Sequence, residues 1–180
     1  MADKQTNVIV SGFGGQGVLF LGTILAHAAM IEGKNTTWIP SYGAEMRGGS
    51  ANCYVVVSND EIASPIFDEA DFGIFLSKQA YERFEKSVKN KGLILANSSM
   101  TGENKNREDV EYLFKPLNDL IFEKNQKFLL NIVALGAFIK KTELFAKNSV
   151  IEALKKVSSA KKPEFLELNL QSFEFGYSII

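Results

Sequence analysis

Six residues near the amino terminus have types and spacing suited to binding an anion. Residues 12–17 read Gly-Phe-Gly-Gly-Gln-Gly, after an apolar run at 8–10 and before an apolar stretch at 18–26. This order predicts a buried strand, a tight glycine turn and a buried helix. The start of a helix leaves free N–H groups and a partial positive charge, which favour a phosphate or a carboxylate. The candidate residues of this turn are Gly12, Gly14, Gly15, Gln16 and Gly17.

The same G-x-G-x-x-G spacing occurs in dinucleotide-binding proteins, which also need a partner residue for the cofactor. In those proteins an acidic side chain at the end of the second strand binds the ribose hydroxyls. Here residues 38–42 read Trp-Ile-Pro-Ser-Tyr, without Asp, Glu or Arg. The pattern therefore argues against bound NAD or FAD, and a stand-alone dinucleotide-binding protein is kept as an alternative. Gln16 is open to two interpretations: a solvated residue at the helix start, or an amide presented to a ligand or partner.

A second glycine-rich segment contains the strongest cation among the candidate residues. Residues 41–50 read Ser-Tyr-Gly-Ala-Glu-Met-Arg-Gly-Gly-Ser, and three glycines within seven residues argue against a regular element. The guanidinium of Arg47 could hold a carboxylate or phosphate through two bonds. Glu45 either pairs with Arg47 locally or reaches a neighbouring chain. The candidate residues of this segment are Tyr42, Glu45, Arg47, Gly48 and Gly49.

Several classes of site are excluded by the scarcity of cysteine and histidine. The chain has one cysteine, Cys53, and one histidine, His27, which cannot supply an iron–sulfur cluster, an internal disulfide or a Cys/His zinc site. His27 supports no nucleophilic triad, and Cys53 is expected to be buried in a strand. A net charge of −1 argues against nucleic-acid binding. No apolar run is long enough for a membrane span and no signal peptide is evident, so a cytoplasmic protein is predicted.

The elements that position these residues predict one α/β domain over residues 1–180. Strands at 7–11 and 36–39 around a helix at 17–31 predict a parallel pair with a right-handed crossover, ended by Pro40. A strand at 51–57 with a return arm at 61–65 predicts an antiparallel hairpin. Further strands are predicted at 72–76, 93–97 and 110–114, and helices at 78–89, 117–124, 128–140, 149–157 and 164–175. The expected fold is an open, largely parallel sheet with helices on both faces, and both glycine segments leave it at the carboxyl edge.

Taken together, the motifs resemble those of a known family. The segments 11–18 and 40–53 are followed by Ile-Ala-Ser-Pro at 62–65, by Asp71, and by Asn-Ile-Val-Ala-Leu-Gly at 131–136. This combination resembles the gamma subunit of the 2-oxoacid:ferredoxin oxidoreductases, from about residue 6 to residue 176. The form Pro-Ser-Tyr-Gly-x-Glu-Met-Arg-Gly-Gly most resembles the 2-oxoglutarate or 2-oxoisovalerate branch. Indolepyruvate oxidoreductases carry a related domain and remain an alternative.

The resemblance implies a Rossmann-like, non-catalytic subunit of a larger enzyme. Such a complex decarboxylates a 2-oxoacid on thiamine diphosphate with Mg, passes the acyl group to coenzyme A, and sends electrons through [4Fe–4S] clusters to ferredoxin. The alpha and beta chains build the thiamine site, and beta or a small delta chain carries the clusters. The gamma chain binds none of these cofactors alone. Its glycine edge is expected to dock on the catalytic chains, with contact to coenzyme A left open.

Overall fold

A six-stranded sheet forms the centre of the computed structural model, which describes residues 5–42, 49–159 and 163–180. Its strands are β1 (Gln5–Phe13), β2 (Asn35–Tyr42), β3 (Ser50–Ser58), β4 (Ala70–Phe75), β5 (Val88–Asn97) and β6 (Glu111–Lys115). The helices are α1 (Val18–Ile31), α2 (Lys78–Phe84), α3 (Ser98–Thr101), α4 (Leu117–Glu123), α5 (Leu130–Thr142), α6 (Lys147–Ser159) and α7 (Pro163–Ser178), with a 3₁₀ turn at Glu85–Ser87.

The order of the strands is β2-β3-β1-β4-β5-β6. Strands β1, β4, β5 and β6 are parallel, whereas β3 is antiparallel to both of its neighbours. The predicted α/β class, with a largely parallel sheet and helices on both faces, is confirmed. The predicted pairing of β1 with β2 is wrong, because β3 lies between them. A strand–helix–strand pattern predicts only the relative direction of its two strands. A third strand can still lie between them if both of its faces are apolar, and residues 55–57 of β3 are buried on both faces.

The predicted antiparallel hairpin is present, but β2 and β3 form it, and its predicted placement at residues 51–65 is wrong. Residues 61–65, all within the described part of the chain, form no strand, and β3 pairs with β1 and β2 instead. The connection at 59–69 is mostly exposed, including Ile66, so it offers little apolar surface to bury.

Pro40 does not end β2, which continues to Tyr42. The reason is that β2 is an edge strand, where a residue without an N–H is tolerated.

The predicted helix at 78–89 is shorter than expected. Helix α2 ends at Phe84 and a 3₁₀ turn follows, so that Val88 already begins β5 and is buried in the core. A register shift in the β4–β5 pairing accommodates this early start of the strand.

The glycine at position 33, in contrast, caps α1 as predicted, with a φ of 72°. The N–H groups of Gly33 and Lys34 donate to the carbonyl oxygens of Met30 and Ala29, the pattern of a Schellman cap.

Two hydrophobic clusters cover the two faces of the sheet. The larger one packs α1, α5, α6 and α7 against one face, and the smaller one packs α2 against the other. Within the larger cluster α5 and α7 approach closely at Gly136 and Gly176, where an added Cβ would meet the backbone of the opposite helix. This helical layer therefore depends on backbone-to-backbone contact as well as on side-chain packing.

A buried carboxylate organises the smaller cluster. Glu85 is 4% exposed and accepts hydrogen bonds from the hydroxyls of Tyr81 (2.8 Å) and Tyr112 and from Asn106 Nδ2 (2.7 Å). Burial alone would raise the pKa of Glu85, but the bonds from Tyr112, Asn106 and Tyr81 outweigh it and lower the pKa. The network attaches the segment before β6 to the end of α2.

We expect Glu85→Gln to reduce stability by about 2 kcal/mol at neutral pH, because an amide cannot accept all three donors. The pKa of Glu85 is lowered from its ordinary value of 4.5, so its carboxylate contributes fully to the free energy of unfolding above that pH. This contribution is lost as the pH falls through the lowered pKa. The pKa values of Glu32 and Asp109 are also lowered, so the test compares variant and wild type by urea unfolding between about pH 6 and pH 3. The variant should lose less stability on acidification. Glu82→Gln, exposed on α2, is the control and should follow the wild type.

Candidate functional site

The glycine turn lies at the carboxyl edge of the sheet, beside the end of the second glycine segment. Gly14 and Gly15 are exposed, and the Gly14 N–H donates to the carbonyl oxygen of Gly49 at 2.9 Å. In the β-ladder Phe13 is opposite Ser50, and Tyr42 is opposite Ala51. The structure thus brings Gly12 to Gly17 together with the backbone of Tyr42 and Gly49. Three further candidates, Glu45, Arg47 and Gly48, lie outside the described residues.

Gln16 stabilises the turn from within. Its Oε1 accepts a hydrogen bond from the Phe13 N–H at 2.7 Å, and its Nε2 donates to the carbonyl oxygen of Leu76 at 3.3 Å. Both ends of the amide are therefore engaged within the chain. The same packing explains Gly12, where an added Cβ would lie 2.6 Å from Gln16 Oε1 and 3.2 Å from Leu76 Cβ.

The start of α1 depends on a residue that sequence reasoning did not identify as part of the site. Gly17 precedes α1 in the left-handed region, with a φ of 74°. Asn131 from α5 is 8% exposed and donates from Nδ2 to the Gly17 carbonyl oxygen at 3.1 Å. The one available signal was a polar residue at the head of an otherwise apolar helical run at 131–136. Asn131 joins the beginnings of α1 and α5.

We expect Gly17→Ala to destabilise the chain by about 3 kcal/mol, through left-handed backbone strain and overlap of the new Cβ with the Asn131 amide. Asn131→Ala alone should cost about 1 kcal/mol, because it removes one hydrogen bond. A double-mutant cycle by denaturant unfolding separates the two causes. The double variant should be more stable than the sum of the single changes predicts, by about 1 kcal/mol, because the overlap is gone and the strain remains. Strict additivity would show that Asn131 does not restrict position 17.

A cavity of about 520 Å³ opens directly beside the turn. We call it the Asn169 cavity; its lining residues are Gly15, Gln16, Gly17, Phe20, Phe128, Leu129, Leu130, Asn131, Ser158, Phe165 and Asn169. Neither α1 nor α5 has an acidic residue in its first turn. The amino-terminal ends of both helices, where the helix dipole is positive, therefore lie at the wall of the cavity, and neither first turn carries a carboxylate.

The single cysteine and the single histidine of the chain do not line the Asn169 cavity. Cys53 is fully buried, and burial raises the pKa of its thiol to about 12. His27 is half-buried on α1. Within residues 5–42, 49–159 and 163–180, no three His, Cys, Asp or Glu side chains are grouped so that they could hold a metal ion. Over the same residues, no helix has the length and apolar character needed to cross a membrane.

Comparison with known proteins settles the family. A family model described as pyruvate ferredoxin/flavodoxin oxidoreductase matches residues 7–179. The chain belongs to the pyruvate ferredoxin/flavodoxin oxidoreductase family. The predicted resemblance is thereby confirmed, and it extends over nearly the whole chain.

Relatives within this family are oxidoreductase subunits. The 2-oxoglutarate synthase subunit KorC of Methanocaldococcus jannaschii is 34% identical over 97% of this chain and 94% of its own length. The ketoisovalerate oxidoreductase subunit VorA of Methanothermobacter thermautotrophicus is 31% identical, and this chain spans only 36% of its length. Among solved structures, the gamma subunit of a keto/oxoacid ferredoxin oxidoreductase from Geobacter sulfurreducens has a TM-score of 0.81 at 28% identity, covering 96% of this chain and 94% of its own.

Proposed function

We propose that this chain is the gamma-type subunit of a multi-subunit 2-oxoacid:ferredoxin oxidoreductase. Residues 1–180 act as one domain in a cytoplasmic complex that converts a 2-oxoacid to its acyl-coenzyme A derivative and reduces ferredoxin. The alpha and beta chains, with a delta chain where present, hold thiamine diphosphate, Mg and the [4Fe–4S] clusters. The proposal is supported by the match of 97% of this chain to 94% of the KorC subunit of Methanocaldococcus jannaschii.

The meeting of the two glycine segments is the observation that carries the docking part of the proposal. Gly14 and Gly15 present nearly bare backbone at the carboxyl edge, next to Gly49. Open α/β sheets bind their ligands at this edge, and glycine permits the closest approach of another chain. We assign the edge to the interface with the catalytic chains, and we include Tyr42, Glu45, Arg47 and Gly48 in it as polar and backbone contacts.

The chain's own composition fits a supporting role. One cysteine cannot provide the four thiolates that a [4Fe–4S] cluster requires, so the electron carriers belong to other chains. The thiol that is present is fully buried and, with its raised pKa, is a poor nucleophile. For the substrate we favour 2-oxoglutarate or a branched-chain 2-oxoacid, because KorC is a 2-oxoglutarate synthase subunit and VorA a ketoisovalerate oxidoreductase subunit. Indolepyruvate is the alternative within the same class.

The decisive experiment is affinity isolation of the tagged chain from its native extract, followed by identification of every bound chain. We expect thiamine- and cluster-bearing partners, and the isolated complex should reduce ferredoxin only when both a 2-oxoacid and coenzyme A are supplied. The purified chain alone should show no such activity. Recovery of a monomer that retains a dinucleotide would overturn the proposal in favour of the stand-alone alternative.

A further inference from the structure

Strand β6 is the last strand of the sheet and has one side on which no described strand lies. Among the described residues it pairs with β5 alone, in parallel. None of its five residues, Glu111–Lys115, is buried, whereas the residues of β5 that pair with them, 93–97, are all buried. The N–H and C=O groups on the outer side of such a strand form a template for one further strand.

The sequence of β6 is complementary to itself in the antiparallel direction. The strand reads Glu-Tyr-Leu-Phe-Lys. If two copies pair antiparallel about Leu113, Glu111 of each copy lies opposite Lys115 of the other, and Tyr112 lies opposite Phe114. Opposite charges and aromatic pairs directly across a ladder stabilise it. Only this register brings both pairs of opposite charges together, so the charges also specify the register.

The two charged side chains keep the capacity to form these pairs. Glu111 pairs with Lys141 of α5, yet its side chain remains 59% exposed, and a carboxylate can accept from two lysines. Lys115 Nζ donates to the carbonyl oxygen of Ile179 at 2.7 Å, which uses one of its three donors. Both contacts lie on the face of the sheet that α5 and α7 cover, so the two charges point to the same face, as pairing across one ladder requires.

The two aromatic rings lie on the other face of the sheet, in the smaller cluster. The rings of Tyr112 and Phe114 stack on each other with centroids 5.2 Å apart and planes 4° from parallel. A two-fold axis perpendicular to the sheet would set the same pair of rings beside them from a second copy. Four rings would then form one apolar surface across the junction.

The opposite edge of the sheet offers no comparable match. Strand β2 reads Asn-Thr-Thr-Trp-Ile-Pro-Ser-Tyr, which contains no charged residue to specify a register. Its Pro40 also lacks the N–H that a further strand would need. The self-complementary pattern therefore belongs to β6 and not to edge strands of this sheet in general.

We propose that the outer edge of β6 binds β6 of a second copy of this chain. The two strands run antiparallel about Leu113, and the two sheets become one. The glycine turn remains uncovered, because β4 and β5 lie between β1 and β6. A ladder of five residues buries less than the roughly 1,200 Å² of a stable interface, so the dimer dissociates on dilution. The pairing does not rest on the proposed function.

The test is sedimentation velocity of the full chain between about 5 and 500 µM, with the charges reversed one at a time. The wild type should show a dimer fraction that rises with concentration. Glu111→Lys and Lys115→Glu should each weaken dimerisation at least about tenfold, because like charges then oppose each other at both ends of the ladder. An equal mixture of the two variants should dimerise about as tightly as the wild type, because every charge again meets its opposite.

Glu82→Lys is the matched control, since Glu82 is an exposed carboxylate with a lysine partner on α2. It should dimerise like the wild type. A wild type that stays monomeric at every concentration would overturn the proposal, as would single variants that dimerise normally or a mixture that does not recover. Recovery requires both variants to be folded, so a folding defect cannot imitate it.

Cysteine cross-linking tests the register even if a charge variant fails to fold. Residue 113 would lie opposite itself, with Cα atoms about 4.5–5.5 Å apart, a separation that a disulfide spans. Leu113→Cys should therefore give a disulfide-linked dimer on oxidation. Glu111→Cys should not, because its two copies would lie four residues apart along the ladder. The wild type, whose one thiol is fully buried, should stay monomeric in denaturing electrophoresis. Equal cross-linking of both variants would contradict the proposed register.

Discussion

Gly176→Ala should destabilise the chain by about 2 kcal/mol, although alanine is the better helix former. A Cβ added at Gly176 would overlap the carbonyl oxygen of Val133 on α5, and one added at Gly136 would overlap that of Phe173 on α7. These are backbone atoms that cannot rotate away, so the two helices must separate. Overpacking of this kind costs up to about 3 kcal/mol, against a gain of about 1 kcal/mol in helix propensity.

Equilibrium unfolding in urea measures this effect, and the sign of the change is the decisive result. Gln171→Ala on the same helix is the control, because Gln171 is exposed and bonded only to Glu167 in the described structure. Its stability should stay within about 0.5 kcal/mol of the wild type. A Gly176→Ala variant that is more stable than the wild type would show that the α5–α7 contact can relax without cost.

The close contact of α5 and α7 also links stability to the candidate site. Helix α5 carries Asn131, which holds the glycine turn, and α7 carries Ser172, which pairs with the Leu129 N–H. Separating the two helices would move both anchors. Gly136 and Gly176 therefore act at a distance on the turn that contains Gly17, by fixing the layer on which it rests.

The sequence predicted the helices and strands themselves better than it predicted which strands are adjacent in the sheet. Apolar and β-branched runs marked the strands, and Gly33 marked the end of α1, because these signals are local. The insertion of β3 between β1 and β2 was missed, since sheet order depends on which strands can bury both faces. The end of β2 was misplaced for a related reason: Pro40 breaks a central strand, but β2 lies at an edge.

The meeting of the two glycine segments was predicted from the direction of the strands that precede them. Two glycine segments after strands of equal direction must emerge at one edge, and Gly14 does meet Gly49 there. The partners that hold the turn were not predictable from spacing. Gln16 bonds to Leu76, and Asn131 to Gly17, across 60 and 114 residues of sequence. Such contacts exist only once the sheet and its helices are assembled.

Gly14→Trp should leave the isolated chain folded but prevent its assembly into the complex. Gly14 is exposed, its φ is outside the left-handed region, and an added Cβ would find the Gly49 carbonyl oxygen at an ordinary 3.5 Å. The indole would project from the edge that we assign to the catalytic chains and hold a partner backbone away from it. Steric exclusion of this kind should weaken association by at least about tenfold, or 1.4 kcal/mol.

Glu61→Trp is the control that distinguishes a specific block of the glycine edge from a general effect of an indole on the surface. Glu61 is exposed in the connection after β3, at the end of the sheet opposite the glycine turn. Both variants should match the wild type in urea unfolding to within about 0.5 kcal/mol. Only Gly14→Trp should lose co-purifying chains and ferredoxin reduction on reconstitution. If Gly14→Trp assembled normally, the glycine edge would face solvent in the complex and the docking surface would have to be sought on another face of the sheet.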